Sequence, residues 1–165
     1  MLPRVSVVMA NYNYARYLRG AIDSALNQTL RDLELIVVDD GSSDGSREII
    51  ESYASDPRLR FRPVPHLGQP GAKNAGIEWA RAPLVAFLDA DDAWHLEKLA
   101  KQVALFDREP TLGVAYCRRT LIDESGQPMP YRQPPLHRGD VMAAMYRDNF
   151  VCFSSAVVRR HVFEH

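Results

Sequence analysis

The chain has 165 residues, 46% hydrophobic and 25% charged, with a formal net charge of -1. That length suits one domain around one core, and the near-neutral balance removes any global electrostatic case for nucleic acid or an anionic membrane as partner. No apolar run approaches the roughly 20 residues that a bilayer span requires.

In chain order, Val5-Ser6-Val7-Val8-Met9 is short, apolar and β-branched, and reads as a buried strand leading into the loop Ala10-Asn11-Tyr12-Asn13. Leu18, Ala21, Ile22, Ala25 and Leu26 follow at helical spacing. A second strand over residues 33–38 stops at Asp39-Asp40-Gly41-Ser42-Ser43-Asp44-Gly45, where Ser43 or Asp44 is placed to cap a helix carrying Ile49, Ile50 and Tyr53. Residues 59–64 predict a third strand. Pro70 and Gly71 precede a short helix through Ala75, Ile77 and Trp79, which puts Lys73 near its start. Residues 84–88 predict a fourth strand, stopping at Asp89, and 96–106 a longer helix that ends before Pro110. Beyond it, 114–121 and 150–158 read as strands and 141–147 as a short helix. Residues 126–139 hold Pro128, Pro130, Pro134 and Pro135 and read as a long extended loop. Strands alternating with helices imply βαβ units and a mainly parallel sheet, an α/β fold.

Ligands of open α/β sheets bind beyond the carboxyl ends of the strands. Three such ends carry unusual residues here: Tyr12, Asp39-Asp40 and Asp89-Ala90-Asp91-Asp92. Two carboxylates about 4 Å apart repel by roughly 4 kcal/mol at an effective dielectric near 20, so a strand end gathering three acids points to a compensating cation or raised pKa values. Magnesium and manganese suit hard oxygen ligands, often one or two carboxylates plus substrate phosphates. Asp92 is expected to cap the following helix. Asp39 suits a uracil-type N3-H or ribose hydroxyls, and Tyr12 suits stacking on a base. Lys73 follows Gly68-Gln69-Pro70-Gly71, a segment fit to approach phosphate.

These segments, in this order, resemble the family-2 glycosyltransferases of the GT-A fold. The resemblance rests on 5–13, on Leu35-Ile36-Val37-Val38-Asp39-Asp40-Gly41-Ser42-Ser43-Asp44-Gly45, on 68–76 and on Phe87-Leu88-Asp89-Ala90-Asp91-Asp92 with the helix after it. It implies a Rossmann-like GT-A sheet with helices on both faces. It also implies an inverting transfer of sugar from a nucleoside diphosphate-sugar to an acceptor hydroxyl on a saccharide, lipid-linked or other carrier. On that pattern Ala10, Tyr12, Asp39, Lys73 and Asp89 contact the nucleotide, and Asp91 holds a divalent Mg or Mn ion. UDP is favoured, and dTDP offers the same N3-H. Residues 1–110 form the donor-binding region and 111–165 the start of an acceptor-side region of the same domain.

The family's catalytic base is an acidic pair on a helix after a final strand. No such pair follows 150–158, so the base is expected beyond His165 and the chain reads as a donor-binding portion. Asp123 and Asp140 lie in loop-like segments and are not promoted to that role. The alternative is a non-catalytic GT-A-like binding or scaffold module. A receiver domain wants its acidic pair after the first strand, a dehalogenase-like phosphatase wants its D-x-D there, and a sugar nucleotidyltransferase wants a glycine-rich basic loop; Ala10-Asn11-Tyr12 is none of these. Cys117 and Cys152 lack metal-ligand spacing and read as reduced thiols. With no signal-peptide core in 5–10, a cytoplasmic location is the default, with membrane association of the full-length protein left open.

Overall fold

The computed structural model describes residues 2–164. Within them six strands form one sheet in the order β3-β2-β1-β4-β6-β5. They are β1 (Val5–Asn11), β2 (Leu33–Asp39), β3 (Leu59–Pro63), β4 (Leu84–Phe87), β5 (Val114–Ala115) and β6 (Val157–Arg159). The first four run parallel, while β6 pairs antiparallel with both β4 and β5. The α/β expectation holds, with an antiparallel edge added. Five helices accompany the sheet: α1 (Ala15–Leu26), α2 (Ser46–Glu51), α3 (Gly68–Trp79), α4 (Lys98–Arg108) and α5 (Met142–Arg147). No helix of the described residues is long and apolar enough to cross a membrane.

Every residue of β2 and β4 is buried, as expected where helices cover both sheet faces. Strand alternation then sorts the core into two layers. Val5, Val7, Met9, Leu35 and Val37 pack with Leu18 and Ile22 of α1, Ile50 of α2 and Leu99, Val103 and Phe106 of α4. Val8, Ile36, Val38, Val85 and Phe87 pack with Ala72 and Ala75 of α3 on the other face. The apolar stripe expected for α1 is the buried stripe observed.

The register brings Asn11, Asp39 and Pro63 level at one edge, while Val8 pairs Phe87. The chain goes from β1 to β2 on one side and places β4 on the other side of β1, so the strand order reverses beside β1. That is where open α/β sheets leave a crevice.

Several boundaries differ from the periodicity. The strand expected at 114–121 is only Val114–Ala115, because the chain leaves the edge strand and the next residues are half-buried or exposed without strand partners. The strand expected at 150–158 is Val157–Arg159, preceded by the 3-10 turn Phe153–Ser155. The Cys152 carbonyl closes that turn by accepting from the Ser155 amide at 2.9 Å and the Ser155 hydroxyl at 2.6 Å. Asp92 does not cap α4, which starts at Lys98. Residues 92–95 carry no regular structure, and the His95 carbonyl then opens a turn by accepting the Lys98 amide at 3.0 Å. Gln28 donates to the His95 carbonyl at 2.9 Å, and the Thr29 amide to the Leu96 carbonyl at 2.9 Å. α3 begins at Gly68, earlier than expected, and takes Pro70 into its first turn, where the missing N–H costs nothing. Lys73 therefore lies in the second turn of the helix rather than at its start.

Two interactions fix the sheet. Gly76 lets α3 lie directly on β1 and β2: a Cβ there would overlap Val8 Cγ1 and come within 3.3 Å of Val38 Cγ2. At the opposite end from Asp39, the buried carboxylate of Glu34 accepts from the Ser6 hydroxyl at 2.6 Å, the Arg81 amide at 2.9 Å and Arg60 Nη1 at 2.9 Å. Burial opposes the charge on Glu34, but Ser6, Arg81 and Arg60 together outweigh it and hold the carboxyl below its usual range.

Gly76→Ala is expected to cost about 1–3 kcal/mol by overpacking, read as a lower midpoint in urea unfolding. A depressed folded-state pKa stabilises above the ordinary carboxylate range, and the contribution disappears as pH falls through the folded value. Glu34→Gln should therefore lower Tm most near neutrality, with the gap to wild type closing in acid; a gap independent of pH would rule out the ionised carboxylate as the cause.

Candidate functional site

The carboxyl ends of β1 and β2 carry a hydrogen-bonded knot. Asp39 is buried, and its Oδ1 accepts from Asn11 Nδ2 at 2.8 Å and from the Ser42 hydroxyl at 2.5 Å. Oδ2 takes the Ser42 amide at 3.2 Å. Asn13, at a φ of 59°, closes the other side: its amide donates to Ser42 Oγ at 2.9 Å and its side-chain oxygen accepts from the Ser43 amide at 2.8 Å. A left-handed backbone is tolerated by Asn more than by most residues. Asp44 then serves two helices. Its Oδ2 accepts the Ala15 amide at 2.8 Å at the start of α1, and its Oδ1 accepts the Ser46 amide at 3.1 Å and hydroxyl at 2.6 Å at the start of α2. The helix-start role read for Asp44 is present, and α1 shares it.

Asp40 points the other way. Its Oδ1 takes the Leu67 amide at 2.6 Å and its Oδ2 lies 3.1 Å from His66 Nδ1. The His66 ring in turn lies 4.4 Å from the exposed ring of Tyr12. Ala10 is half-buried on β1, opposite Val38, and has only backbone polar atoms to offer a ligand.

Past the switch point, Lys73 is buried in α3 and its Nζ lies 2.7 Å from Asp89 Oδ1. The two are not aligned as a hydrogen bond, so charge rather than direction holds them. The Lys73 ammonium also lies 4.4 Å above the Phe153 ring. The Asp89 amide donates to Ser154 Oγ at 3.0 Å, and Trp94 Nε1 donates to the Ser154 carbonyl at 2.7 Å. Asp91 is different. It is exposed, but crowding by protein on one side raises its carboxyl, opposed by its own amide and assisted by Asp92 and then Asp89; Lys73 pulls it down. Asp89 thus has a counter-charge at hand, while Asp91 is only partly compensated by Lys73.

A divalent ion fits this donor set in one way only. Among the described residues no cluster of three or more His, Cys, Asp or Glu side chains could hold a metal alone. One free carboxylate completed by phosphate oxygens is a recognised way of binding Mg²⁺, and Asp91 has the free charge for it.

Comparison with known proteins decides the family. The profile described as Glycosyl transferase family 2 matches residues 6–165. The chain belongs to glycosyltransferase family 2. An uncharacterised glycosyltransferase of Nostoc sp. is 37% identical over 98% of this chain, which spans 52% of that protein. The chondroitin synthase of Pasteurella multocida is 34% identical over 93% of the chain and 16% of its own length. Among solved structures, residues 1–349 of S. aureus TarS in complex with UDP-GlcNAc superpose with a TM-score of 0.79 at 21% identity, covering 98% of this chain and 46% of that one. The Pyrobaculum calidifontis mannosyltransferase PcManGT, solved with GDP-Man and Mn²⁺, gives 0.73 at 22%, covering 99% and 46%. These likenesses establish the GT-A fold. The chain spans about half the length of the Nostoc relative.

Within this family-2 domain, the structure brings Lys73 and Asp89 together, with Asp91 two residues on. It places Tyr12 and Asp39 on the neighbouring strand ends. Sequence reading missed Asn11, Ser42, His66, Phe153 and Ser154. Asn11 and Ser42 stood inside quoted motifs, and pairing polar side chains at level strand ends would have found them. Phe153 and Ser154 are far away in sequence and were hidden in an expected strand.

Removing the Lys73 ammonium removes the charge that pulls Asp91 down. In Lys73→Met the Asp91 carboxyl should therefore titrate at a higher pH than in wild type, as read from its carboxyl carbon by NMR; an unchanged titration would separate the two groups.

Proposed function

We propose that this chain binds a nucleoside diphosphate-sugar across the β1/β4 switch point, as the donor half of an inverting glycosyltransferase. The observation that carries this reading is the pairing of a neutralised carboxylate with a less compensated one: Asp89 held by Lys73 at 2.7 Å, and Asp91 raised by burial and by the charges of Asp92 and Asp89 beyond what Lys73 offsets. Tyr12 stacks on the base, worth about 1–3 kcal/mol, with His66 beside it. Asp39 accepts from N3-H of the base. Its Oδ2 makes a single longer contact to the Ser42 amide, so it retains acceptor capacity. Lys73 and Asp89 lie where phosphate and ribose approach, and the Lys73 ammonium is free to exchange a carboxylate for a phosphate oxygen. Asp91 holds the divalent ion. When bound, that ion supplies Lewis-acid neutralisation of the departing diphosphate. UDP is the favoured nucleotide on the N3-H argument, and the UDP-GlcNAc complex of TarS is consistent with it; the GDP-Man complex of PcManGT shows that the same fold takes guanine elsewhere.

Transfer also needs a carboxylate base at the acceptor hydroxyl. Neither loop acid fits. Asp123 Oδ1 is used by the Ser125 amide at 2.8 Å, the Ser125 hydroxyl at 2.7 Å and the Gln127 amide at 2.9 Å. Asp140 accepts the Met142 amide at 3.1 Å at the start of α5.

Calorimetry with UDP, dTDP and GDP in the presence of Mn²⁺ tests the reading. Metal-dependent binding of UDP and dTDP, with GDP weaker, is expected; no metal-dependent binding of any of the three favours a scaffold module. Asp91→Asn should abolish the metal dependence. It should also raise Tm at neutral pH without metal. A folded-state pKa above the unfolded value means that ionised Asp91 destabilises the fold once pH exceeds the ordinary carboxylate range.

A further inference from the structure

Behind the turn that touches Asp89 lie three reactive side chains unused by the reading above: Lys98, and Cys117 and Cys152 on the wall of one cavity. Lys98 opens α4 and is buried to 9% exposure, with its Nζ 3.9 Å from the centre of the Trp94 ring. That Nζ has no hydrogen-bond partner among the described residues. Burial lowers the ammonium to about 7, against the opposing pull of Cys117 and Cys152. Near neutrality the site therefore holds a substantial fraction of free amine, a proton acceptor without a structural duty. Burial pushes the Cys117 thiol up, and Lys98 pulls it back down.

Cys117 and Cys152 line one cavity of about 10 Å³, walled by Tyr116, Arg119, Pro134 and Phe150. Such a space is at the lower limit for a single water, far below the few hundred Å³ of an organic ligand site. Both thiols are unbridged and half-buried. The Arg119 guanidinium, also on the cavity wall, bonds the Tyr131 hydroxyl at 2.8 Å. The position of Cys152 gives this cluster its reach. Its carbonyl closes the 3-10 turn through Ser155, Ser154 in that turn holds the Asp89 amide and Trp94, and Phe153 lies against Lys73.

We propose that Cys117 and Cys152 are a peroxide-responsive thiol pair, with Lys98 as proton acceptor, whose oxidation to a disulfide restrains the turn that supports Asp89. The Cys152 thiol gives its proton to the Lys98 amine. The thiolate then attacks one oxygen of hydrogen peroxide; an S–O bond forms, the O–O bond breaks, and the departing hydroxide recovers the proton from Lys98 as water. The Cys117 thiol deprotonates in the same way and its thiolate attacks the Cys152 sulfenic sulfur. An S–S bond forms, the S–O bond breaks, and hydroxide leaves as a second water. Two thiols and one peroxide become one disulfide and two waters, the sulfurs losing two electrons and the peroxide gaining them. The effect on donor binding rests on the function proposed above; the disulfide itself does not.

The experiment treats reduced protein with hydrogen peroxide, blocks remaining thiols and maps tryptic peptides by mass. Residues 109–118 and 148–159 should appear joined, lighter by two hydrogens than their sum, and separate again with dithiothreitol. Lys98→Met, with its fold checked by circular dichroism, should slow the joining several-fold; if it does not fold, the wild-type map alone decides. UDP binding with Mn²⁺ should weaken several-fold in the oxidised protein, recover on reduction, and resist peroxide in Cys117→Ser. Separate sulfinic or sulfonic acids without joined peptides, or a link between two chains on a non-reducing gel, would overturn the pair. Joined peptides with unchanged UDP affinity would overturn the coupling to the donor site. A wild-type protein that never binds UDP would count against the proposed function and leave the peptide map to judge the thiols.

Discussion

The close seat of α3 on β1 and β2 sets the depth of everything at the site. Gly76 has no Cβ to meet Val8, so the helix lies down on the sheet and Lys73, one turn earlier, is carried into the interior. A buried ammonium needs a partner, and the partner within reach is Asp89 at the end of β4. Helix, strand end and ion pair are thus one construction. At the rim beside it, Asp91 feels the like charges of Asp92 and Asp89 against the pull of Lys73.

A second support comes from far along the chain. Ser154 accepts the amide of Asp89 and holds Trp94 through its carbonyl, so the antiparallel strand β6, between β4 and the edge strand β5, does more than extend the sheet. The route from α4 through β5 and α5 to β6 delivers a short turn under the acidic end. A parallel strand at that place would run its turn to the other edge.

Much of this was legible in the residues. The buried strands, the α1 stripe and the acidic strand ends follow from period and charge, and their order points to the family. What was not legible depends on contacts between distant segments. Asp92 looks like a helix cap, but the segment after it is tied to distant groups through Gln28, Thr29 and Trp94, which no local rule anticipates. Residues 150–158 look like one strand because their apolar content is high. Ser154 and Ser155 instead bend the backbone by bonding to Asp89 and to Cys152. Lys73 seemed to sit at a helix start because Pro70 looks like punctuation, whereas it is tolerated inside the first turn.

The knot formed by Asn11, Asn13, Asp39, Ser42 and Ser43 has a consequence for kinetics. The protein's own hydrogen bonds zip these two loops together, so their ordering entropy is charged to folding rather than to association. On the function proposed above, an incoming base would meet a preorganised surface, with differences in its fit emerging chiefly in how slowly it leaves.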